Sequence, residues 1–388
     1  MENPKRILFV SHKANRSGAP LLLLNIVKEF SKRKEFEIKV LCMEDGELVK
    51  DFEKLAPTLV WTSKKKNEVA SLSQAVSFIA GRFVDAAKAL YNLSTIKGTD
   101  IVFLNTLTNG HIHKKLLFLK CKFVCYVHEL EIAIRMLNNE ETLQTTWTHT
   151  QLFFAVSEAV KKNLVINHAV NDQKIFTVPS VVEINVKSKT DYSDFISQFK
   201  SKHNIPASAT IVGVAASNDW RKGFDLFSPL VQLFFAKYPN ADVYFIWKGF
   251  RKESFHSLQD LMDFDKSISK RKILLDHGND SIETIACFDI NLLLSREDPY
   301  PLVLLEAAAL SIPTICFKDA GGSPEFVEED AGYCIDYGDL DKMAEAIFTL
   351  ATEENKRKQM AKRAQEKLLE RHLYSKPIEE MVNKITSL

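Results

Sequence analysis

Ser295–Glu325 reads SREDPYPLVLLEAAALSIPTICFKDAGGSPE: a strand end, an acidic loop, a short apolar helix, a second strand and a glycine turn. Strand, helix and strand in so short a space is the signature of a β-α-β unit, and such units build parallel sheets. Pro301 and Leu302 are placed to begin the helix, which leaves the backbone amides of Leu302 and Val303 unpaired. Those amides and the positive end of the helix dipole favour an anion. Two carboxylates, Asp298 and Glu306, bracket the same helix end. Carboxylates there repel phosphate, so they are better suited to accept hydrogen bonds from hydroxyls. Glu306 lies in the apolar run LVLLEAAAL, where a charge is costly to bury unless something pairs with it. A ribose diol would satisfy it; a structural salt bridge is the competing account. Asp298 would sit nearer a sugar, with Glu297 as its alternative. Amides for phosphate beside carboxylates for diols suit a nucleotide-linked sugar.

The alternation of short apolar runs and amphipathic ones extends both ways from this stretch. Strands are expected at 6–11, 36–42, 100–105, 122–128, 151–156 and 174–178, with a helix over Pro20–Ser31. Pro179–Asp191, PSVVEINVKSKTD, breaks the rhythm and reads as a linker. The pattern then restarts with strands at 210–216, 242–247, 272–276, 289–294 and 313–317, a helix over Gly223–Lys237, and helix from Asp341 onward. The expected class is α/β, with two consecutive doubly wound domains. The boundaries are 1–183 and 184–375, and a C-terminal helix at 376–388 is expected to pack back on the first domain.

Composition limits the alternatives. The 388 residues are 46% hydrophobic, enough for two full cores, and no apolar run approaches the ~20 residues that span a bilayer. Met1–His12, MENPKRILFVSH, runs into a strand without signal-peptide architecture. The six cysteines show no CxxC pairing and suit free thiols in a reducing cytoplasm. Residues 1–190 carry 27 Lys+Arg against 19 Asp+Glu, or +8; the remaining 24 against 31 give −7, and the halves sum to the net +1. A basic first half, with clusters such as Lys64–Lys66, Lys114–Lys115 and Lys161–Lys162, suits an anionic membrane surface or anionic acceptor as well as ordinary solvated surface. Nucleic acid is disfavoured, because basic residues are not interleaved with aromatics in one domain.

In doubly wound sheets ligands gather at the C-terminal ends of strands. The loop after the first strand, HKANRSGAP (His12–Pro20), offers Gly18 at a helix start and His12. No GxGxxG fingerprint occurs. After a later strand, YVHELE (Tyr126–Glu131) offers His128, whose imidazole is expected to donate to a sugar hydroxyl or developing negative charge, followed by Glu129. His12, His111, His113 and His277 compete for that role, and none has metal-ligand spacing. In the second half, SNDWRKG (Ser217–Gly223) places Ser217, Arg221 and Lys222 before a helix, where two cations complement a diphosphate. Lys318–Glu325, KDAGGSPE, has Gly321-Gly322, which suit a close approach to a sugar and a tight turn equally well.

With these residues the chain resembles retaining nucleotide-sugar glycosyltransferases of the GT-B fold, glycosyltransferase family 4 (glycosyl transferases group 1). The family's acidic-x7-acidic motif within S-x-x-E-x7-E-A is matched by Ser295, Asp298 and Glu306-Ala307, and its GG-x-P-E loop by Gly321–Glu325. Its basic element is matched by Arg221-Lys222-Gly223, its small-residue loop by Ser17-Gly18-Ala19-Pro20, and its first-domain histidine by His128. A segment before the linker matches Val156–Leu164, VSEAVKKNL. Asp298 stands where Glu is common, and Ala216 where many members have arginine.

The resemblance implies two Rossmann-like domains facing each other across a cleft. It implies transfer of a sugar, with retained anomeric configuration, from a nucleotide-diphosphate sugar to a saccharide or lipid-linked saccharide. The setting would be cell-surface polysaccharide synthesis on the inner face of the membrane. No cofactor and no metal are expected. Catalysis would rest on His128, Asp298, Glu297, Lys222 and Arg221. The donor would meet Glu306, Leu302, Val303, Pro301, Ser217 and Gly18, and the acceptor His12 and Glu129. A nucleotide-sugar epimerase or hydrolase on the same scaffold, or a non-catalytic nucleotide-sugar-binding subunit, are the other classes compatible with these residues.

Overall fold

The computed structural model describes residues 3–16, 18–62, 94–180, 188–251, 270–278, 280–372 and 375–388. Ser17, the Lys64–Lys66 cluster and most of the expected linker, with the 183/184 boundary, lie outside them. Contacts divide the chain into two units. One comprises Met1–Val156, Val160–Val181 and Pro377–Leu388; the other Ser157–Ala159 and Val182–Lys376.

The first unit carries seven parallel strands: β1 (Lys5–Ser11), β2 (Phe36–Glu44), β3 (Thr58–Thr62), β4 (Ile101–Leu104), β5 (Lys122–Val127), β6 (Thr150–Ala155) and β7 (Ile175–Thr177). Their order is β3-β2-β1-β4-β5-β6-β7. The order reverses between β1 and β4, so the loops leaving these two strands diverge and open a crevice. Lys5 Nζ donates to the carbonyl of Thr386 at 2.6 Å, and the Lys384 ammonium lies 3.7 Å from the Phe176 ring centroid. Both contacts tie the last helix, Ser375–Thr386, to this sheet.

The second unit carries six parallel strands: β8 (Thr210–Ala215), β9 (Val243–Phe250), β10 (Lys272–Asp276), β11 (Ile290–Leu293), β12 (Thr314–Phe317) and β13 (Gly332–Ile335). The order is β10-β9-β8-β11-β12-β13, with the switch point between β8 and β11. Alternation along each strand feeds two cores. Val212, Val214, Val243, Phe245 and Trp247 pack with helices Phe224–Lys237 and Leu340–Thr352. Ile211 and Ile246 pack on the opposite face with Phe199, Ala286 and Ala307. Burial on both faces is why these strands read as nearly continuous apolar runs.

The α/β class and the two doubly wound, Rossmann-like units are as the sequence predicts. Two strands were not anticipated. β3 and β13 are short edge strands, and β13 owes its conformation to pairing with β12, in the register Ile315↔Tyr333 and Cys316↔Cys334. β9 also runs on past Trp247. Gly249 makes this possible: it has φ +107°, and a Cβ there would lie 2.4 Å from the Ala216 carbonyl oxygen.

Candidate functional site

The second unit's candidate residues collect at its switch point. The turn after β8 is built by its own side chains. Asp219 accepts from the Lys222 amide at 3.1 Å, and the Ser217 hydroxyl donates to the other Asp219 oxygen. Ser217, expected to meet the donor, is thus engaged within the turn. Gly223 then adopts φ +75°, and a Cβ there would lie 2.0 Å from the Leu294 carbonyl oxygen. Only glycine lets the turn pass so close to the end of β11.

That approach lays Arg221 and Lys222 on the acidic loop. Arg221 Nη1 donates to the Glu297 carbonyl at 2.8 Å, and the Arg296 amide donates to the Arg221 carbonyl at 2.8 Å. Lys222 Nζ forms an ion pair with Asp298, whose side chain is 8% exposed. The sequence suggested Lys222 for a diphosphate and Asp298 for a sugar as separate roles; the structure joins them in one pair. Arg296, not singled out from the sequence, fastens the two loops: its guanidinium donates to both Asp225 oxygens at 2.7 Å and to the Trp220 carbonyl at 2.6 Å.

The loop Ser295–Pro301 is also zipped to the glycine turn after β12. The Asp298 amide donates to the Ala320 carbonyl at 2.6 Å, and the Gly322 amide to the Asp298 carbonyl at 3.2 Å. A Cβ on Gly322 would lie 2.4 Å from the Tyr300 ring and 2.5 Å from the Pro299 carbonyl oxygen. Close approach of two backbones accounts for Gly322, and Asp298 is held by main chain as well as by Lys222.

Leu302–Ala309 is a helix whose N-cap, Pro301, supplies no side-chain cap. The amides of Leu302 and Val303 have no partner among the described residues. One turn further in, the Glu306 carboxyl is pushed up by burial. Among the described residues it has no hydrogen-bond or ion-pair partner, so the salt-bridge account finds no cation there. An uncompensated carboxyl on an apolar helix is a liability in stability that a diol donor would remove.

Around the ends of β9 and β10 lies a cavity of about 560 Å³, bordered by Lys248, Leu275, His277, Gly278 and Asp280. Lys248 is 5% exposed and donates to Asp280 at 2.5 Å, while its carbonyl accepts from the Ala216 amide at 2.9 Å. Sequence reading missed Lys248 because it sits inside a strand run that looks purely apolar.

In the first unit, His12, Asn105 and His128 stand at the ends of β1, β4 and β5. Asn105 Nδ2 donates to the Ala19 carbonyl at 2.8 Å, which fixes the orientation of its amide. The remaining oxygen, Oδ1, lies 3.2 Å from His128 Nε2, so that nitrogen carries the proton and donates. Nδ1 is left as the acceptor. The donation expected of His128 from the sequence is therefore directed from Nε2 to Asn105 in this structure. Burial, with His12 nearby, pushes His128 down to about 3. Burial, then Lys13, also lowers His12, against Glu44. Asn105, fully buried, was missed because a single amide at a strand end carries no spacing signal.

Glu129 faces inward. It accepts from the Thr106 hydroxyl and from the amides of His128 at 2.9 Å and Leu107 at 3.4 Å. Burial raises its carboxyl despite those bonds. Its geometry supports the loop carrying His128. Gly18 opens the helix Gly18–Phe30, with an exposed backbone. His113 is buried against Phe123, ring centroids 4.0 Å apart, and neither nitrogen has a hydrogen-bond partner among the described residues. His111 Nδ1 lies 3.0 Å from the Thr108 carbonyl.

These histidines predict an acid limb in stability. Burial pushes His113 down to about 4. A histidine kept neutral by the fold stabilises it above the unfolded value near 6.5. That stability drains as pH falls toward the folded value. His113 alone accounts for on the order of 3 kcal/mol across pH 6.5 to 4. His113→Phe should flatten the dependence of unfolding midpoint on pH in this window; an unchanged slope would remove His113 from the account.

Among the described residues, no group of three His, Cys, Asp or Glu side chains is placed to hold a metal ion, and no helix is long and apolar enough to cross a membrane.

The two parallel-sheet, Rossmann-like units define the GT-B architecture. The structure of HepE from Anabaena in complex with UDP-glucose matches 99% of this chain and 100% of its own, with TM-score 0.78 and 20% identity. Residues 195–367 match the family Glycosyl transferases group 1. The second unit therefore carries a glycosyl transferases group 1 domain. N-acetyl-alpha-D-glucosaminyl L-malate synthase of Bacillus anthracis is 27% identical over 272 residues, 67% of this chain and 66% of that protein, just under two thirds of its length. The O-antigen biosynthesis glycosyltransferase WclY of Escherichia coli is 23% identical over 320 residues, covering 80% of this chain and 79% of its own.

Proposed function

We propose that this protein is a retaining, metal-independent glycosyltransferase. It would move a sugar from a nucleotide-diphosphate sugar to a saccharide or lipid-linked saccharide in cell-surface polysaccharide synthesis. The observation that carries the reading is Glu306, a half-buried carboxyl without a described partner. It stands one turn behind two free helix amides, on the helix that follows the loop bearing Asp298, and Arg221 and Lys222 reach that loop from the turn after β8. In this reading Glu306 accepts from the ribose diol, and the amides of Leu302 and Val303 take a phosphate oxygen. Lys222 shifts its charge from Asp298 to the leaving diphosphate, an electrostatic role worth most in a water-poor site. Asp298, or Glu297 beside it, then accepts from the sugar. The acceptor hydroxyl attacks from the side the diphosphate leaves, and its proton passes to the departing phosphate oxygen. His128 and His12, both neutral, orient hydroxyl groups. The cavity beside Lys248 has room for the nucleoside base.

The relatives point to the donors to try first, since HepE was solved with UDP-glucose. A nucleoside diphosphate or its sugar at about 100 times its Kd should stabilise the protein by about 2.7 kcal/mol. Product analysis should show the donor's anomeric configuration kept and turnover unaffected by a chelator. If no nucleoside diphosphate or nucleotide sugar shifts the melting temperature, the proposal fails. Donor consumed without any acceptor would instead favour an epimerase or hydrolase.

A peripheral position on the inner membrane face suits the basic first half and its exposed Phe118, Met136 and Leu137. The same assay on anionic vesicles at low and high salt checks it, because such attraction is screened by salt. Equal recovery off vesicles at both strengths would exclude that position.

A further inference from the structure

The edge pair β12–β13 holds a feature that sugar transfer does not use. Cys316 and Cys334 are direct partners in the parallel register, and their sulfurs lie 3.8 Å apart. Cys316 is buried among Leu304, Leu305 and Phe326, while Cys334 is partly exposed on the outermost strand. Two ammonium groups accompany this edge. Lys367, fully buried, donates to the carbonyls of Phe326 and Val327 and pairs with Glu328, whose own carbonyl accepts from Cys334 Sγ at 3.5 Å. Lys318, at the end of β12, pairs with Asp336 at the end of β13.

We propose that Cys334 and Cys316 form a thiol-oxidation site for peroxide-class oxidants, with Cys334 the attacking thiolate and Cys316 the resolving thiol. Cys334 has the asymmetry this needs. A hydrogen bond from Cys316 holds its thiol below the usual range, helped by Lys318 and Lys367 and opposed by burial, while the same bond and burial raise Cys316. The other thiols are inert by comparison. Burial pushes Cys42 and Cys287 up to about 12, Cys121 up to about 11, and Cys125 well above its ordinary value. The thiolate is the reactive form, so partition between the six follows this order.

The chemistry balances. The Cys334 thiolate attacks one peroxide oxygen, an S–O bond forms as the O–O bond breaks, and hydroxide leaves and is protonated to water. Cys316 then attacks the sulfenic sulfur; the S–S bond forms, the S–O bond breaks, and the departing hydroxide takes the Cys316 proton as a second water. Two thiols and one hydrogen peroxide give one disulfide and two waters. The sulfurs must close by roughly 1.8 Å to reach the ~2.05 Å of a disulfide, a shift within reach of side-chain rotation between adjacent strands.

The test uses the full chain. At pH 7, iodoacetamide should label Cys334 at least ~10-fold faster than Cys121, the other partly exposed thiol. Equimolar hydrogen peroxide should lower the intact mass by about 2 Da, with a Cys316–Cys334 peptide pair that dithiothreitol reverses. In Cys316→Ala the same treatment should leave a sulfenic acid at Cys334 that dimedone traps, and no crosslinked pair. Faster labelling of Cys121, or peroxide-treated wild-type protein that still melts cooperatively yet lacks the Cys316–Cys334 pair, would overturn the proposal. The wild-type readouts stand even where the Cys316 variant folds poorly.

Discussion

Glu306→Gln is expected to weaken binding of the nucleotide-sugar donor by about 10- to 100-fold while leaving the fold at least as stable as wild type. A hydrogen bond to a charged acceptor contributes about 1.5–3 kcal/mol, and the diol loses that acceptor charge in the variant. Stability moves the other way because the carboxyl is already unfavourable where it stands. Its folded value is raised by burial, so its stabilising contribution is present below the unfolded value and is lost as pH rises through the folded one. Wild type should therefore fall behind Glu306→Gln as pH rises from 4.5 toward neutrality, and donor should close part of that gap. Calorimetric titration with donor, together with melting curves at several pH values, checks both halves. Donor affinity unchanged within a factor of two would remove Glu306 from the site.

The largest loss is expected at the Lys222–Asp298 pair. Lys222→Met strands a carboxylate in a residue 5% exposed, and breaking a buried pair from one side costs about 3–5 kcal/mol. The same change removes the cation offered to the leaving diphosphate, which should lower kcat by about 10²–10³-fold. The two effects separate in the double variant Lys222→Met/Asp298→Asn. It should recover most of the melting temperature, because no uncompensated charge remains, and stay as inactive as the single variant. Recovery of activity along with stability would mean that the pair only holds the two loops together. Denaturant titrations and initial rates on the three proteins decide between these outcomes.

Much of this architecture is legible in the chain. Runs such as TIVGVA and INLL are buried on both faces, so their apolar character survives any sequence window, and the strands were found where they are. The edges were not. β3 and β13 are half exposed and become strands only because a neighbour offers them hydrogen bonds. The site divides in the same way. Asp298, Glu306, Arg221 and Lys222 announce themselves as charges in or beside apolar runs, where burying a charge demands a reason. Asn105, Arg296 and Lys248 do not, since nothing in their local spacing shows that a partner dozens of residues away awaits them.

The sequence by itself determined the α/β class, the two sheets and the helix end flanked by two carboxylates, because period, propensity and the cost of burying charge act locally. Only the tertiary structure decided how those groups are engaged. It paired Lys222 with Asp298, engaged Ser217 within its own turn and Glu129 against the loop after β4, and left Glu306 without a described partner. It also set the proton on His128 by orienting an amide on another strand. Each of these follows from strands brought side by side at a switch point, and chain separation hides that adjacency.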